Sequence, residues 1–268
     1  MVFSILVTNM ENDAYIQLNR AWKSTCKVLL GEEVGDLLEF ENYLKLYTDP
    51  IIQRKSAISG KEVTISSQRI PRDALLIRND ELEAYAKKVN DIPFDINKIK
   101  DMDSLLEVAR ERAYYAGNTV LGTSKHVLNS HRCVNTTYAL GCQDVYDGKY
   151  VAFTTSIRNP EYSFGCCWGG DIQFCIKILD PYKITRSMEL FHCNVATDCY
   201  YSASLEDCTN CIFSFNQRSK NYLIGNVSLA KDKYADLKKK LITELSVYMK
   251  KNKAAPSIID IIRGDNGV

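Results

Sequence analysis

His192, Cys193, Cys199, Cys208 and Cys211 fall within twenty residues of one another. Thiolate and imidazole are the ligands of tetrahedral zinc, and Cys208-x-x-Cys211 has zinc-knuckle spacing. Cysteine is equally a small apolar core residue. Cys199 and Cys211 are one unit apart in the repeat described below, which accounts for them without a metal. No cofactor is therefore assigned, and zinc on Cys193, Cys199, Cys208 and Cys211 stands as the alternative. The chain holds ten cysteines in 268 residues, nine of them between Cys133 and Cys211, which is more than a four-ligand site explains.

Other groupings offer less chemistry. Gly117-Asn-Thr-Val-Leu-Gly122-Thr-Ser-Lys125 approaches a phosphate-binding loop, but Thr123 stands where the lysine must follow the second glycine. Asp144, Asp147, Asp171, Asp198, Glu206 and Asp207 are scattered. Asp147 and Asp171 lie two units apart and are the pair most able to stack for acid–base work. Three histidines, His126, His131 and His192, are too separated to read as a site. Trp168, beside Cys166 and Cys167, reads as a core or loop anchor. No catalytic residue is assigned.

The strongest charge feature is basic. Eight lysines between Lys231 and Lys253 face three carboxylates, which makes that segment +5 in a chain of net +1. Lys233, Lys238, Lys239, Lys240, Lys250 and Lys251 are the candidate binding residues. A lysine face is either a solvated helix surface or a surface that tracks phosphates or an acidic partner.

The elements that must position these residues show a period of twelve. Apolar markers fall at Tyr114, His126, Tyr138, Tyr150, Tyr162, Phe174, Met188, Cys199, Cys211 and Tyr222. The steps are 12 five times, then 14, 11, 12 and 11. Two residues after each marker comes Ala116, Leu128, Leu140, Ala152, Phe164, Ile176, Leu190, Tyr201, Phe213 or Ile224. Of the twenty positions only His126 is not apolar. Marker and partner share one face of a strand, because side chains alternate with period two. Gly, Ser or Asn follows in most units and suits a bend. Near-constant unit length and like residues in one column (Tyr138, Tyr150, Tyr162) predict a parallel β-solenoid with helical ends, two or three units completing a coil. A β-sandwich or meander is the alternative.

The stretch from about 114 to 235 resembles a family of uncharacterised, cysteine-rich, β-helical proteins of archaea and uncultivated bacterial lineages. The resemblance rests on Asp198-Cys199-Tyr-Tyr, Glu206-Asp207-Cys208 and Asn210-Cys211-Ile-Phe-Ser-Phe-Asn-Gln-Arg218. Asn226 and a helix opening at Lys231-Asp-Lys-Tyr234 follow. Ser214 and Phe215 replace the Gly-Cys usual there, and Asn216-Gln217-Arg218 stands near its Leu-Arg-Asn. The resemblance implies the fold and transfers no catalytic residue. The acyl-CoA transferase activity ascribed to some members has no counterpart in these residues.

The organisation expected is therefore a helical α+β cap region over 1–113, solenoid repeats over 114–229, and a basic amphipathic helix with an apolar tail over 230–268. Residues 11–46 read as a helix broken at Gly31 and resumed from Glu32 to Tyr47. Lys61 to Ser67 reads as a strand, and Ser104 to Tyr114 as a helix capped by Asp101 or Asp103. The helical third is placed over the solenoid's open end, because an exposed end is an aggregation edge. The tail around Ile258 to Ile262 either packs back or docks on a partner. The N-terminus has no basic region before its short apolar run, and no apolar stretch reaches eighteen residues, so a cytoplasmic location without membrane contact is expected. The Asn135 and Asn226 sequons are then chance matches. Functionally, the reading is a non-catalytic interaction module whose partner is a protein or ribonucleoprotein, with nucleic acid as a further possibility. An enzyme with a groove along the solenoid, acting on a carbohydrate or acyl substrate, is the alternative.

Overall fold

The computed structural model describes residues 9–66, 70–93, 95–170, 172–179 and 182–263. From residue 120 onward its centre is a parallel β-solenoid of about 8 turns. After a first step of thirteen, Val120 to Cys133, the register is constant. Lys125 pairs with Thr137, Thr137 with Lys149, Lys149 with Glu161, and Glu161 with Gln173. On the other side His131 pairs with Gln143 and Gln143 with Thr155. Each partner is twelve residues on, so one unit, not two or three, completes a coil.

The backbone explains how twelve residues suffice. Positive φ recurs at His126, Asn129, Arg132, Asn135, Tyr138, Gly141, Asp144, Asp147, Tyr150 and Phe153, and the three-residue spacing continues through Tyr222 and Gly225 with few breaks among the described residues. Two extended residues and one left-handed residue thus make one side, and four sides make a coil. Asn and Asp tolerate this conformation well, while Tyr and Phe do so at a cost. Stacking across coils offsets part of that cost. His126 lies 4.7 Å from Tyr138, Tyr138 5.1 Å from Tyr150, and Tyr150 5.1 Å from Tyr162.

Inside, one side chain per side points to the axis. The interior series runs Cys133, Thr136, Ala139, Cys142, Val145, Val151, Thr154, Ile157, Ser163 and Cys166, then Ile172, Cys175 and Ile178, all buried. A core this narrow admits small and mid-sized residues, and among the described residues no aromatic side chain enters it. That is the explanation of the cysteines. Their thiols also do what Ser and Thr do at neighbouring positions, which is to donate to the carbonyl two residues back. Cys142 donates to Leu140 O at 3.3 Å, Cys199 to Thr197 O at 3.3 Å and Cys208 to Glu206 O at 3.3 Å. Ser130 bonds Leu128 O at 2.7 Å, and Ser202 bonds Tyr200 O at 2.8 Å.

Most of the apolar residues that mark the repeat lie outside this core, while Leu190, Cys199 and Cys211 lie within it. Leu128, Leu140, Ala152, Phe164, Ile176, Met188, Tyr200 and Ile212 form one outer column, and helix α1 (Asn9–Leu30) packs on the strands of Leu128, Leu140, Ala152 and Phe164. The 14- and 11-residue steps of the sequence frame do not exist in the register. Ile176 pairs with Met188 and Met188 with Tyr200, whereas Cys199 pairs with Ser187 in an inner column. The apolar choice moved between columns while coil length stayed fixed.

Helix α1 buries Leu18, Ala21, Trp22, Cys26 and Leu29 on the solenoid's flank rather than over its end. Gly31, at φ +81°, ends it. The expected helix from Glu32 begins only at Leu37 and is a run of short turns including α2 (Glu41–Leu44). Trp22 Nε1 donates to Gly35 O at 3.0 Å, and Asp36 N donates to Glu39 at 2.7 Å, which holds residues 31–36 out of helix. Leu44 rests on the coil at Gly165, where φ is +73° and a Cβ would come within 2.9 Å of its side chain.

The open end is met by the segment that follows. Strands β1 (Ile52–Lys55) and β2 (Glu62–Ile65) form a hairpin, and β3 (Leu75–Arg78) pairs in parallel with β4 (Tyr114–Gly117). Asn118 N donates to Thr64 O at 2.8 Å, closing β2 onto the entering chain. Residues 67–69, including the end of the expected strand, lie outside the described residues. Helices α3 (Leu82–Asn90) and α4 (Met102–Arg110) intervene, the latter capped by Asp101, which accepts from Ser104 N at 2.9 Å. At the other end Asn221–Ile224 turns back antiparallel on Val227–Ser228. Helix α5 (Lys231–Asn252) then lies beside α1, and α6 (Ile258–Arg263) buries Ile258 against the body. The apolar tail thus packs back.

Candidate binding groove

Helix α5 places its lysines unequally. Tyr234, Ser246 and Met249 are buried, so the helix is docked and does not protrude. Lys253 ends it in the left-handed conformation, bonding Glu39 at 3.1 Å and lying 5.7 Å from the Phe40 ring. Lys250 pairs with Glu32, whose second oxygen accepts from Ser246. Those contacts bind α5 to the loop after α1. Lys240 is 4.0 Å from Glu244 on the exposed face. Lys233 and Lys251 are exposed, with no ion-pair partner among the described residues.

Lys238 and Lys239 turn the other way, into a cavity of about 690 Å³ between the end of α1, the start of α5 and the coils carrying Arg186 and Asp198. Its walls are Val28, Leu29, Leu30 and Ile242, together with Tyr200, whose hydroxyl donates to Leu29 O at 3.0 Å. The Lys238 ammonium lies 5.0 Å from the Tyr200 ring and 6.0 Å from Tyr234. A cation held on aromatic faces is oriented without being neutralised. Past Tyr200 and Ile242 a second hollow of about 240 Å³ continues under α5, walled by Tyr201, Ile212, Phe213, Leu241, Leu245 and Tyr248. The first presents three cations, Arg186, Lys238 and Lys239, with two carboxylates, Glu32 (paired with Lys250) and Asp198, and the second an apolar slot beyond.

Of the six lysines singled out by sequence, two line this groove. Arg186, Tyr200 and Val28 line it too and carried no signal in the sequence. Knowing the constant register would have placed residues 186, 198 and 200 on adjacent coils, but not the helix that covers them.

The cysteine group behaves as core. Cys199, Cys208 and Cys211 are buried with their thiol protons on backbone carbonyls. The Cys193 and His192 side chains lie outside the described residues, as does Asp171. Burial pushes the Cys133, Cys142, Cys175 and Cys208 thiols up, and the contact with Cys199 does so for Cys211. Such thiols are poor nucleophiles. Among the described residues, no three His, Cys, Asp or Glu side chains form a metal-sized group. The near phosphate loop is part of the first coils, from β4 to the strand Lys125–Leu128, and precedes no helix.

Two further polar groupings bear on chemistry. His131 is buried, its Nδ1 accepting from Thr119 N at 3.3 Å and its Nε2 facing Tyr115 Oη at 3.4 Å. It is a neutral, occupied ring. Lys177 and Glu189 stand one coil apart at left-handed corners, 3.0 Å from each other and fully buried. Glu189 also accepts from Tyr43 and Tyr47 at 2.9 Å and from Ile258 N at 2.9 Å. The Lys177 ammonium sits 4.4 Å from the Tyr43 ring and 4.3 Å from Tyr47. This cluster ties α6 and the turns after α2 to the solenoid and has no opening for a substrate. Trp168, read from the sequence as a core or loop anchor, is 56% exposed and so is not a core residue. Among the described residues no helix is long and apolar enough to cross a membrane. No family model, curated protein or solved structure matches the chain.

Proposed function

We propose that this chain is a non-catalytic interaction module, and that its groove takes an acidic segment with apolar side chains from a partner protein. The observation that supports this is the placement of Lys238, Lys239 and Arg186 beside Val28, Leu30 and Ile242, at the mouth of an apolar slot. Charge complementarity selects the partner and apolar burial holds it. The solenoid serves as the rigid frame, so the groove is formed before binding. A nucleic acid would use the exposed lysines of α5 but has no use for the slot.

The test is fluorescence anisotropy with a labelled peptide of alternating Glu and Leu, against a single-stranded RNA of equal charge, at low and high salt. The module should prefer the peptide, and Lys238→Glu with Lys239→Glu should weaken it at least about tenfold. Preference for RNA would move the function to the outer face of α5. Unchanged peptide binding by the double variant would remove the groove from it.

A further inference from the structure

A second site is built on the opposite kind of surface, a bare corner of the solenoid. The register stacks Arg132, Asp144, Ser156 and Trp168 at successive coils, each with positive φ. With Tyr146, Arg158 and Asp49 they line a pocket of about 340 Å³. We propose that this pocket binds a neutral saccharide, with Trp168 and Tyr146 as the stacking plates.

Four observations carry the assignment. Trp168 is 56% exposed and Tyr146 37%, whereas the chain's other tryptophan, Trp22, is fully buried. An open aromatic plate stacks on the C–H face of a sugar ring. Arg132 Nε lies 2.8 Å from Asp144 Oδ1, which fixes a fork of donors next to an acceptor, the combination that vicinal hydroxyls need. Two arginines and two aspartates balance, so the pocket asks for no net charge, and a polyanion gains nothing there. The floor is rigid. Asp49 N donates to Thr155 Oγ1 at 3.1 Å and Gln143 Nε2 to Asp49 O at 2.6 Å, pinning the loop that carries Asp49 to the coils. The volume lies in the range of small-ligand pockets.

Because Trp22 is buried, a change in tryptophan emission on adding sugar reports Trp168. Titrating the full chain with cellotetraose, mannotetraose and chitotetraose to about 10 mM should give a blue shift and calorimetric heat with at least one of them. Trp168→Ala and Arg158→Ala should each weaken that binding at least about tenfold. The exposed position of both side chains predicts an unchanged melting curve. Three outcomes would overturn the proposal: no shift or heat with any probe, undiminished binding by Trp168→Ala, or a Trp168 shift produced by a single-stranded oligonucleotide and not by sugar. None of them bears on the groove at α5, which lies on other elements.

Discussion

At Cys142 the interior leaves room for a thiol and little more. Its neighbours in the column are Ser130, whose hydroxyl accepts from Cys142 N at 2.9 Å, and Thr154 above. Cys142→Ser keeps the bond to Leu140 O and should cost within about 1 kcal/mol. Cys142→Phe overpacks the coil and should cost about 3 kcal/mol or more. Denaturant melts of the two variants check this. His131 gives a pH prediction. Burial, reinforced by the Arg132 charge, pushes its pKa down to about 4 from an ordinary 6.5. The unfolded chain therefore takes up a proton between those values that the folded chain refuses. Stability from this group is complete above about pH 6.5 and falls as pH drops toward 4, by about 3 kcal/mol at most. In His131→Gln that part of the pH dependence should disappear from urea melts taken across the window. The clustering of cysteine was legible in the sequence, and so was its link to the repeat. Which face held the core was not. A marker such as Tyr150 and an inward residue such as Val151 are both apolar, and only the left-handed corner between sides separates them.

Among the elements, the tail and the turns after α2 are held by one carboxylate. Removing Glu189 leaves the Lys177 ammonium buried and strips the acceptor from Tyr43, Tyr47 and Ile258 N. Glu189→Ala should cost about 3–5 kcal/mol, and Lys177→Met with Glu189→Leu should regain much of it. Limited proteolysis should cut the single variant within 253–263 before the rest of the chain, and spare the double one. Helix α5 was readable almost to the residue from its stripe of Tyr234, Leu237, Leu241, Leu245 and Tyr248, although Leu237 and Tyr248 remain exposed. The second N-terminal helix is shorter than its spacing predicts. Its apolar spacing is real, with Leu37, Phe40, Tyr43 and Leu44 buried, but the capping pair Asp36 and Glu39 starts the turn later than Glu32. Lys177 and Glu189 carried no signal, since charged residues twelve apart look like surface until the register shows them meeting under a lid.

For the whole molecule, the fixed register means that the sheet changes length only by complete coils. Removing residues 137–148, one coil, should leave a folded chain, because Lys125 and His131 would then face Lys149 and Thr155 as they now face Thr137 and Gln143. Removing 137–141, five residues, would break the three-residue phase, moving Cys142 to an outer position and Asp144 to an inner one, and circular dichroism should show the sheet lost. The architecture as a class was legible from period and composition. The sidewall was not, because nothing in residues 9–30 says which surface their apolar stripe meets.

That sidewall sets a measure. Helix α1 has 22 residues, about 33 Å at 1.5 Å each. Its packing runs from the coil of Leu128 to Tyr200, which bonds Leu29 O. Those positions are six coils apart, about 29 Å at the spacing of neighbouring strands. The helix is a ruler laid against a stack. Each coil gained by duplication lengthens the stack by about 4.8 Å, close to three helical residues. Homologues with more or fewer coils under the helix should therefore carry first helices longer or shorter by about three residues per coil, and the stretch of sequence that sets the size of the solenoid is the one that is not part of it.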